Sequence, residues 1–450
     1  MKNVRFARKA ACSVLSAAVA AAFTTSVDAR FLTKDLQICD QGSFFIGGVP
    51  KVTKYATSST AAANYSQITV GQMYVQFQVP TAARKWPLIM VHGSTHSGAA
   101  LESTPHYTEG WAPYTVRNKL ATYVVDQPGR GRSGNDESRI HEGEAMLVAG
   151  DPNGANVIPN IGRITDNGSY TAWFGHLVVP GTATTCTDII TCELMPHGWR
   201  IDDPSPPTIH PNPHNGPQWA FQTSDFVYPA NVDYTNTGTW GPAPYGPAAA
   251  YKQHYYRQLL PNYEATLPGS MCPSCGPLPA NQVLSGANTW SPRNLAELVV
   301  KLGGAIVATH SQSGFQGYHM VRNLKEMGKL NLLKGLITVE GSCNLPAVGL
   351  TAADFDNIPN LTVKGDYRPD ADPSLPCYND IKARRDAGFG SAQVEYIALD
   401  DPKFGGKFNG VTHMMMDDTA ALPVMDVILG WARQHIANPP STGQCNSPKL

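Results

Sequence analysis

Apolar positions along this chain follow two rhythms separated by a long stretch with neither. "GSFFIGG" (42–48) and "QMYVQFQVP" (72–80) cluster or alternate apolar residues as strands do. "WPLIMVHG" (86–93) is a short continuous apolar run, the pattern of a strand buried on both faces. "WAPYTVRNKL" (111–120) has helical spacing, and "ATYVVDQPGRGRSG" (121–134) is a strand running into a glycine-rich turn. Strand, helix and strand at this spacing predict a parallel crossover. The rhythm resumes at "SPRNLAELVVKLGG" (291–304), where Ser291 is placed to cap a helix, Pro292 to open it and Gly303-Gly304 to end it. A strand at 305–308 and a helix over about 312–328 follow. Next come "KGLITVE" (334–340), "NLTVKGDY" (360–367), "QVEYIAL" (393–399) and a last helix near 422–436. Strands alternating with helices predict an α/β fold with a mostly parallel sheet covered on both sides.

Between these blocks, residues 137–285 are rich in Pro, Gly, Asn and Thr and show little helical periodicity. This stretch carries Trp173, Trp199, Trp219 and Trp240, half of the 8 tryptophans. That aromatic content argues against disorder and for an irregular cap-like insertion folded over the main domain. The tryptophans read mainly as core anchors, with a ligand groove as the alternative. The predicted organisation is a leader over 1–29, a catalytic domain from 30–136 and 286–450, and an insertion at 137–285.

The leader changes how the cysteines are read. Lys2, Arg5, Arg8 and Lys9 precede a small-residue apolar stretch, Ala10 to Val27, and Val27-Asp28-Ala29 offers small side chains where a signal peptidase cuts. This predicts a signal peptide cleaved after Ala29, and a secreted or periplasmic protein without a membrane anchor. Of the 9 cysteines, Cys12 leaves with the leader. The rest form an even set in an oxidising compartment. Short loops favour Cys186–Cys192 and Cys272–Cys275, and Cys343–Cys377 with Cys39–Cys445 would complete the set. With a net charge of −1 and 15% charged residues, nothing in the chain suggests a nucleic-acid partner. His176, His197, His210 and His214 read as surface histidines rather than metal ligands, because prolines between His210 and His214 prevent a shared helical face.

The candidate chemistry gathers at strand ends. In a sheet of this kind functional residues lie beyond the carboxyl ends of the strands. Thr309-His310-Ser311-Gln312-Ser313-Gly314 follows an apolar strand and opens a helix. A tight strand-to-helix turn centred on Ser311 exposes its hydroxyl, provided the residues two before and two after are small. Thr309 and Ser313 stand where glycines are usual. His310 is expected to point away from Ser311. A serine needs a base, and His413 in "NGVTHMMMDD" (409–418) is the best candidate. The imidazole needs an acid, and both Glu340 and Asp366 end strands in the right order. An oxyanion site contributes roughly 3–4 kcal/mol per amide donor. The Gln312 amide is one such donor, and Ser94, with Thr95 as the alternative, supplies the second from the turn "HGSTHSG" (92–98).

Five blocks, "VHGSTHSGAALESTPHYTEGWAPY", "YVVDQPGRGRSGND", "THSQSG", "VEGSCN" and "VTHMMMDD", together resemble a group of secreted bacterial esterases in the α/β-hydrolase superfamily. The resemblance covers about 40–136 and 288–438. It implies an α/β-hydrolase fold and a triad of Ser311, Glu340 and His413, which favours Glu340 over Asp366. It also implies a serine esterase acting on a small or polymeric carboxylic ester, with no metal or organic cofactor. A lactonase, thioesterase or peptidase using the same triad, or a secreted binding protein on a hydrolase scaffold, are the alternatives. The chain departs from the group at Ser94-Thr95, where relatives can carry two adjacent cysteines.

Overall fold

A computed structural model of the chain describes residues 31–55, 64–105, 107–158, 161–173, 175–178, 193–196, 255–261, 290–365, 373–408, 411–418, 420–441 and 445. Eight strands form the main sheet: β1 (Ile38–Tyr55), β2 (Asn64–Pro80), β3 (Leu88–Val91), β4 (Thr122–Asp126), β7 (Ala305–His310), β8 (Leu333–Val339), β9 (Asn360–Lys364) and β10 (Val394–Ala398). A separate hairpin pairs β5 (Gly175–Val178) with β6 (Glu193–Pro196). The sheet order is β1-β2-β4-β3-β7-β8-β9-β10. β1, β2 and β4 pair antiparallel; from β4 to β10 every pairing is parallel. This is an α/β-hydrolase-like sheet, as the resemblance implied.

β3, β4, β7 and β9 are buried along their whole length, so alternate side chains feed two cores. Leu88, Met90, Ile306 and Ala308 face one side, where they pack with α1 (Trp111–Arg117) and α7 (Ala421–His435). Ile89, Val91, Ala305 and Val307 face the other, against α4 (Trp290–Lys301) and α5 (Gln312–Glu326). The chain leaves β3 toward β4 and returns on the opposite flank of β3 as β7. The order of winding reverses between β3 and β7. Beyond the carboxyl ends of those two strands such a sheet opens a crevice.

The predicted strands and helices on either side of 137–285 are present; most ends shift by a few residues, but β1 and β2 extend well beyond the expected 42–48 and 72–80, to Ile38–Tyr55 and Asn64–Pro80. One cap differs: Ser291 and Pro292 already lie within α4, which starts at Trp290. The insertion is more regular at its start than its composition suggests. Ser138–Val148 forms a helix, α2, followed by Asp166–Trp173, α3. The reason for α2 lies partly in side-chain pairs three or four residues apart, Arg139 with Glu142 and His141 beside Glu137 and Glu144. It lies also in tethers to β1, where Lys51 meets Asp136 at 2.8 Å and Thr53 donates to Glu142 at 2.6 Å. A further helix, α6 (Leu375–Asp386), fills the connection between β9 and β10.

Two expected disulfides are formed, Cys39–Cys445 and Cys343–Cys377. Cys186, Cys192, Cys272 and Cys275 lie outside the described residues, as do the leader and Trp199, Trp219, Trp240, His197, His210 and His214. Among the described residues no helix is long and apolar enough to cross a membrane.

The Cys343–Cys377 bridge ties the loop after β8 to the first turn of α6 across a separation of 34 residues. Replacing both cysteines by alanine is expected to lower unfolding stability by about 2–4 kcal/mol. Equilibrium urea denaturation checks this, and an unchanged midpoint would contradict it.

Candidate active site

The strand β7 ends at His310, α5 begins at Gln312, and Ser311 alone makes the bend. Its backbone sits at φ 55 and ψ −121, a sparsely populated conformation for a side chain with a β carbon. Three contacts hold the bend. The Ser313 hydroxyl accepts the His310 amide at 2.8 Å and has the Val91 carbonyl as an acceptor at 3.0 Å. Gly314 faces Gly341 so closely that a β carbon on Gly314 would lie 2.6 Å from the Gly341 Cα. Thr309, at a position where glycine is usual, fits because Gly317 lies opposite; a β carbon there would come within 2.9 Å of the threonine methyl. Ser313 therefore stitches the turn, and the space normally left by flanking glycines is supplied from 314, 317 and 341.

The Ser311 hydroxyl, half-buried, lies 2.9 Å from His413 Nε2. His413 Nδ1 donates to Glu340 Oε2. The second carboxylate oxygen accepts the Gly365 amide at 2.7 Å. Gly365 is needed there, since a β carbon would sit 2.8 Å from Glu340 Oε1. Both His413 and Glu340 are buried, and Glu340 itself adopts φ 44 at the end of β8. With Nδ1–H committed to the carboxylate, Nε2 is left to accept the serine proton. The loop carrying His413 is anchored by its own sequence. Met414, Met415 and Met416 are buried in the core, and Asp418 accepts the Thr412 and Ala420 amides at 3.3 and 3.1 Å. His310, expected to turn away from Ser311, reaches across to this loop: its Nε2 donates to the His413 carbonyl at 2.8 Å, and the two rings lie 4.7 Å apart.

Facing the bend is the turn after β3. Gly93 packs directly on the elbow; a β carbon on it would be 3.1 Å from Ser311 Cβ. The Gly93 carbonyl lies 2.8 Å from His92 Nδ1, and His92 Nε2 accepts the Gln127 amide at 3.0 Å. His96 Nδ1 donates to the Ser94 carbonyl at 2.7 Å, and its Nε2 accepts from the Tyr255 hydroxyl at 3.1 Å. Burial holds both rings neutral, His92 down to about 3 and His96 to about 4, with the Arg130 charge adding to the effect. Thr95 takes φ 56, and its carbonyl accepts the Leu260 amide at 2.7 Å. Gln312 is the first residue of α5, so its amide has no acceptor one turn back in the helix.

The insertion reaches this site from two sides. The Trp173 carbonyl accepts the His413 amide at 3.2 Å, and its ring packs 5.2 Å from His96. Tyr255 and Leu260 hold the turn after β3. Trp173 thus serves as a core anchor, as read from its type, and it anchors at the site itself.

Ser311, Glu340 and His413 are brought together in one hydrogen-bonded row, with Gln312 beside it and Ser94 and Thr95 in the facing turn. Asp366, the alternative acid, lies outside the described residues. The sequence reading missed His96, Tyr255 and the support from His310; their only signal was residue type, since each acts across a large separation. Among the described residues no group of three or more His, Cys, Asp or Glu could hold a metal ion. Chemically, the row can relay a proton from a hydroxyl to an imidazole steadied by a carboxylate.

Neither a family model nor a curated protein matches the chain. Among solved structures, that of a novel bacterial esterase superposes with a TM-score of 0.60 at 24% sequence identity, covering 90% of this chain and 98% of that one. This likeness bears on the fold. The esterase Est22 and a variant of it align at TM-scores of 0.31 and 0.33, each with 10% identity and each covering 86% of this chain and 81% and 80% of theirs. Scores that low carry no argument.

The buried histidines predict acid lability. His319 on α5 is also held down to about 3, by burial and then by Arg322. An unfolded histidine protonates near 6.5, whereas these three rings refuse the proton until far lower. Their contribution to stability is therefore full above about pH 6.5 and is lost as pH falls toward the folded values. The urea midpoint is expected to drop between about pH 7 and about pH 4.5, and His319→Leu is expected to flatten that drop. An identical pH slope in the variant would contradict the assignment.

Proposed function

We propose that this protein is a secreted or periplasmic serine hydrolase that cleaves carboxylic esters through an acyl-enzyme on Ser311. The observation that carries this reading is the 2.9 Å contact between Ser311 Oγ and His413 Nε2, in a ring whose other nitrogen is bound to Glu340. The likeness of fold to a bacterial esterase supports the same class. The leader over 1–29 and the two disulfides support export.

In the reaction so read, an ester carbonyl enters the crevice between the ends of β3 and β7. Ser311 Oγ attacks the carbonyl carbon as His413 Nε2 takes its proton. Glu340 stays ionised, keeps the ring in one tautomer and stabilises the imidazolium that forms. Negative charge develops on the former carbonyl oxygen. The Gln312 amide and the Ser94 amide, with Thr95 as the alternative, would receive it. Preorganised donors of this kind lower the barrier by about 3–4 kcal/mol each. The imidazolium then protonates the departing alcohol. Water, deprotonated by the same nitrogen, releases the acid and frees Ser311.

The same atoms would serve a lactone, a thioester or an amide. Of these the amide needs the most help, because an amine must be protonated as it leaves whereas an alkoxide or thiolate departs more readily. The insertion, with Trp173 and Tyr255 at the site, is read as the cap that shapes substrate entry. No cofactor enters any step.

Ser311→Ala is expected to reduce kcat/KM for a small activated ester by a factor of about 10⁴ or more. Glu340→Gln, which leaves the shape but removes the charge, is expected to cost about 10⁴ in kcat. Steady-state kinetics on purified protein checks both. Native-level turnover in Ser311→Ala would overturn the reading.

A further inference from the structure

Arg130 is a buried cation at the centre of the site, yet the reaction above gives it no role. It lies in the glycine-rich loop after β4, between Gly129 and Gly131, and is 2% exposed. Its guanidinium divides between two other elements. Nη1 donates to the Gly93 carbonyl at 2.8 Å, and Nη2 donates to Gln312 Oε1 at 2.7 Å. The first acceptor belongs to the turn after β3, the second to the opening residue of α5.

Peptide geometry gives the first bond its meaning. The Gly93 carbonyl and the Ser94 amide are parts of one planar trans unit, so they point in opposite directions. Fixing the carbonyl on the guanidinium aims the Ser94 N–H away from Arg130. Gly93 itself packs on Ser311 Cβ, so that amide is presented beside the nucleophile. The carbonyl also takes the Nδ1–H of His92 at 2.8 Å, which leaves the unit little freedom to rotate. A cation on the carbonyl polarises the whole unit and strengthens its N–H as a donor. The second bond fixes the residue that carries the other amide. One rigid fork therefore spans the two residues whose amides face the developing charge.

We infer that Arg130 is a positioning residue for the oxyanion site, setting the direction of the Ser94 amide and its spacing from the Gln312 amide. This rests on the serine-hydrolase reading of Ser311. The turn that carries Ser94 and Thr95 is held further by His92, His96 and Tyr255. Arginine suits the position because its rigid planar fork holds two donors in fixed directions toward acceptors on different elements, whereas the three donors of a lysine rotate about one centre.

The test compares native protein with Arg130→Met, Arg130→Lys, Arg130→Ala and Gln312→Ala. Each is titrated with a serine-reactive phosphonate, so that turnover of a p-nitrophenyl ester is expressed per labelled Ser311. In Arg130→Met, kcat per site is expected to fall by about 10- to 100-fold with KM changed less than about threefold. Arg130→Lys is expected to lie between Met and native, and Gln312→Ala to lose several-fold in kcat. In Arg130→Ala, added methylguanidinium is expected to restore part of kcat. A merely structural role would lower the melting temperature and the fraction of labelled sites but leave kcat per site unchanged, and that result would overturn the inference. So would native kcat per site in Gln312→Ala, should the Arg130 variants fail to fold. Failure of the native protein to label at Ser311 or to cleave the ester would instead overturn the hydrolase reading beneath it.

Discussion

Everything at this site hangs on one backbone conformation. At φ 55 and ψ −121, Ser311 turns the chain from β7 into α5 within a single residue, at a cost of order 1–3 kcal/mol. The surroundings over-determine it. Ser313 bonds the strand end, Gly314 and Gly341 let two loops touch, and Gly317 makes room for Thr309. The return on that strain is a hydroxyl that stands clear of the sheet while the groups behind it stay buried. A relaxed turn would draw the oxygen back into the fold and leave the imidazole with nothing to deprotonate.

Around this bend the molecule uses buried histidines as struts. His92 and His96 hold successive carbonyls of the facing turn, and His310 holds the carbonyl of His413. Burial keeps the first two uncharged, which fixes one nitrogen as donor and the other as acceptor. A charged ring could not accept from Gln127 or Tyr255. Dryness therefore does two jobs: it sets the tautomers of the supports, and it strengthens the hydrogen bonds they make. Trp173 and Tyr255, from within 137–285, join the same network through the His413 amide and His96 Nε2.

Much of this was legible in the sequence. Periodicity located the strands from 86 to 399 and the two long helices because each buries a defined face. Ser311, Glu340 and His413 were readable because strand ends and chain order constrain where such groups can go, although the residues alone left Glu340 level with Asp366. What was not legible depends on contacts between distant segments. The helix Ser138–Val148 is stabilised by β1, nearly a hundred residues earlier, so its own composition understated it. The work of His96 and Arg130 appears only once Tyr255 and Gln312 are brought beside them. Thr309 looked like a defect in the motif because its compensation, Gly317, lies a turn further on.

The most direct measurement is a crystal structure of the protein after reaction with an alkyl phosphonate. The account predicts phosphorus bonded to Ser311 Oγ, with one phosphoryl oxygen within about 3.1 Å of both the Gln312 and Ser94 amides and His413 Nε2 beside the leaving-group position. An adduct on another residue, or a phosphoryl oxygen turned to solvent with neither amide in reach, would contradict it.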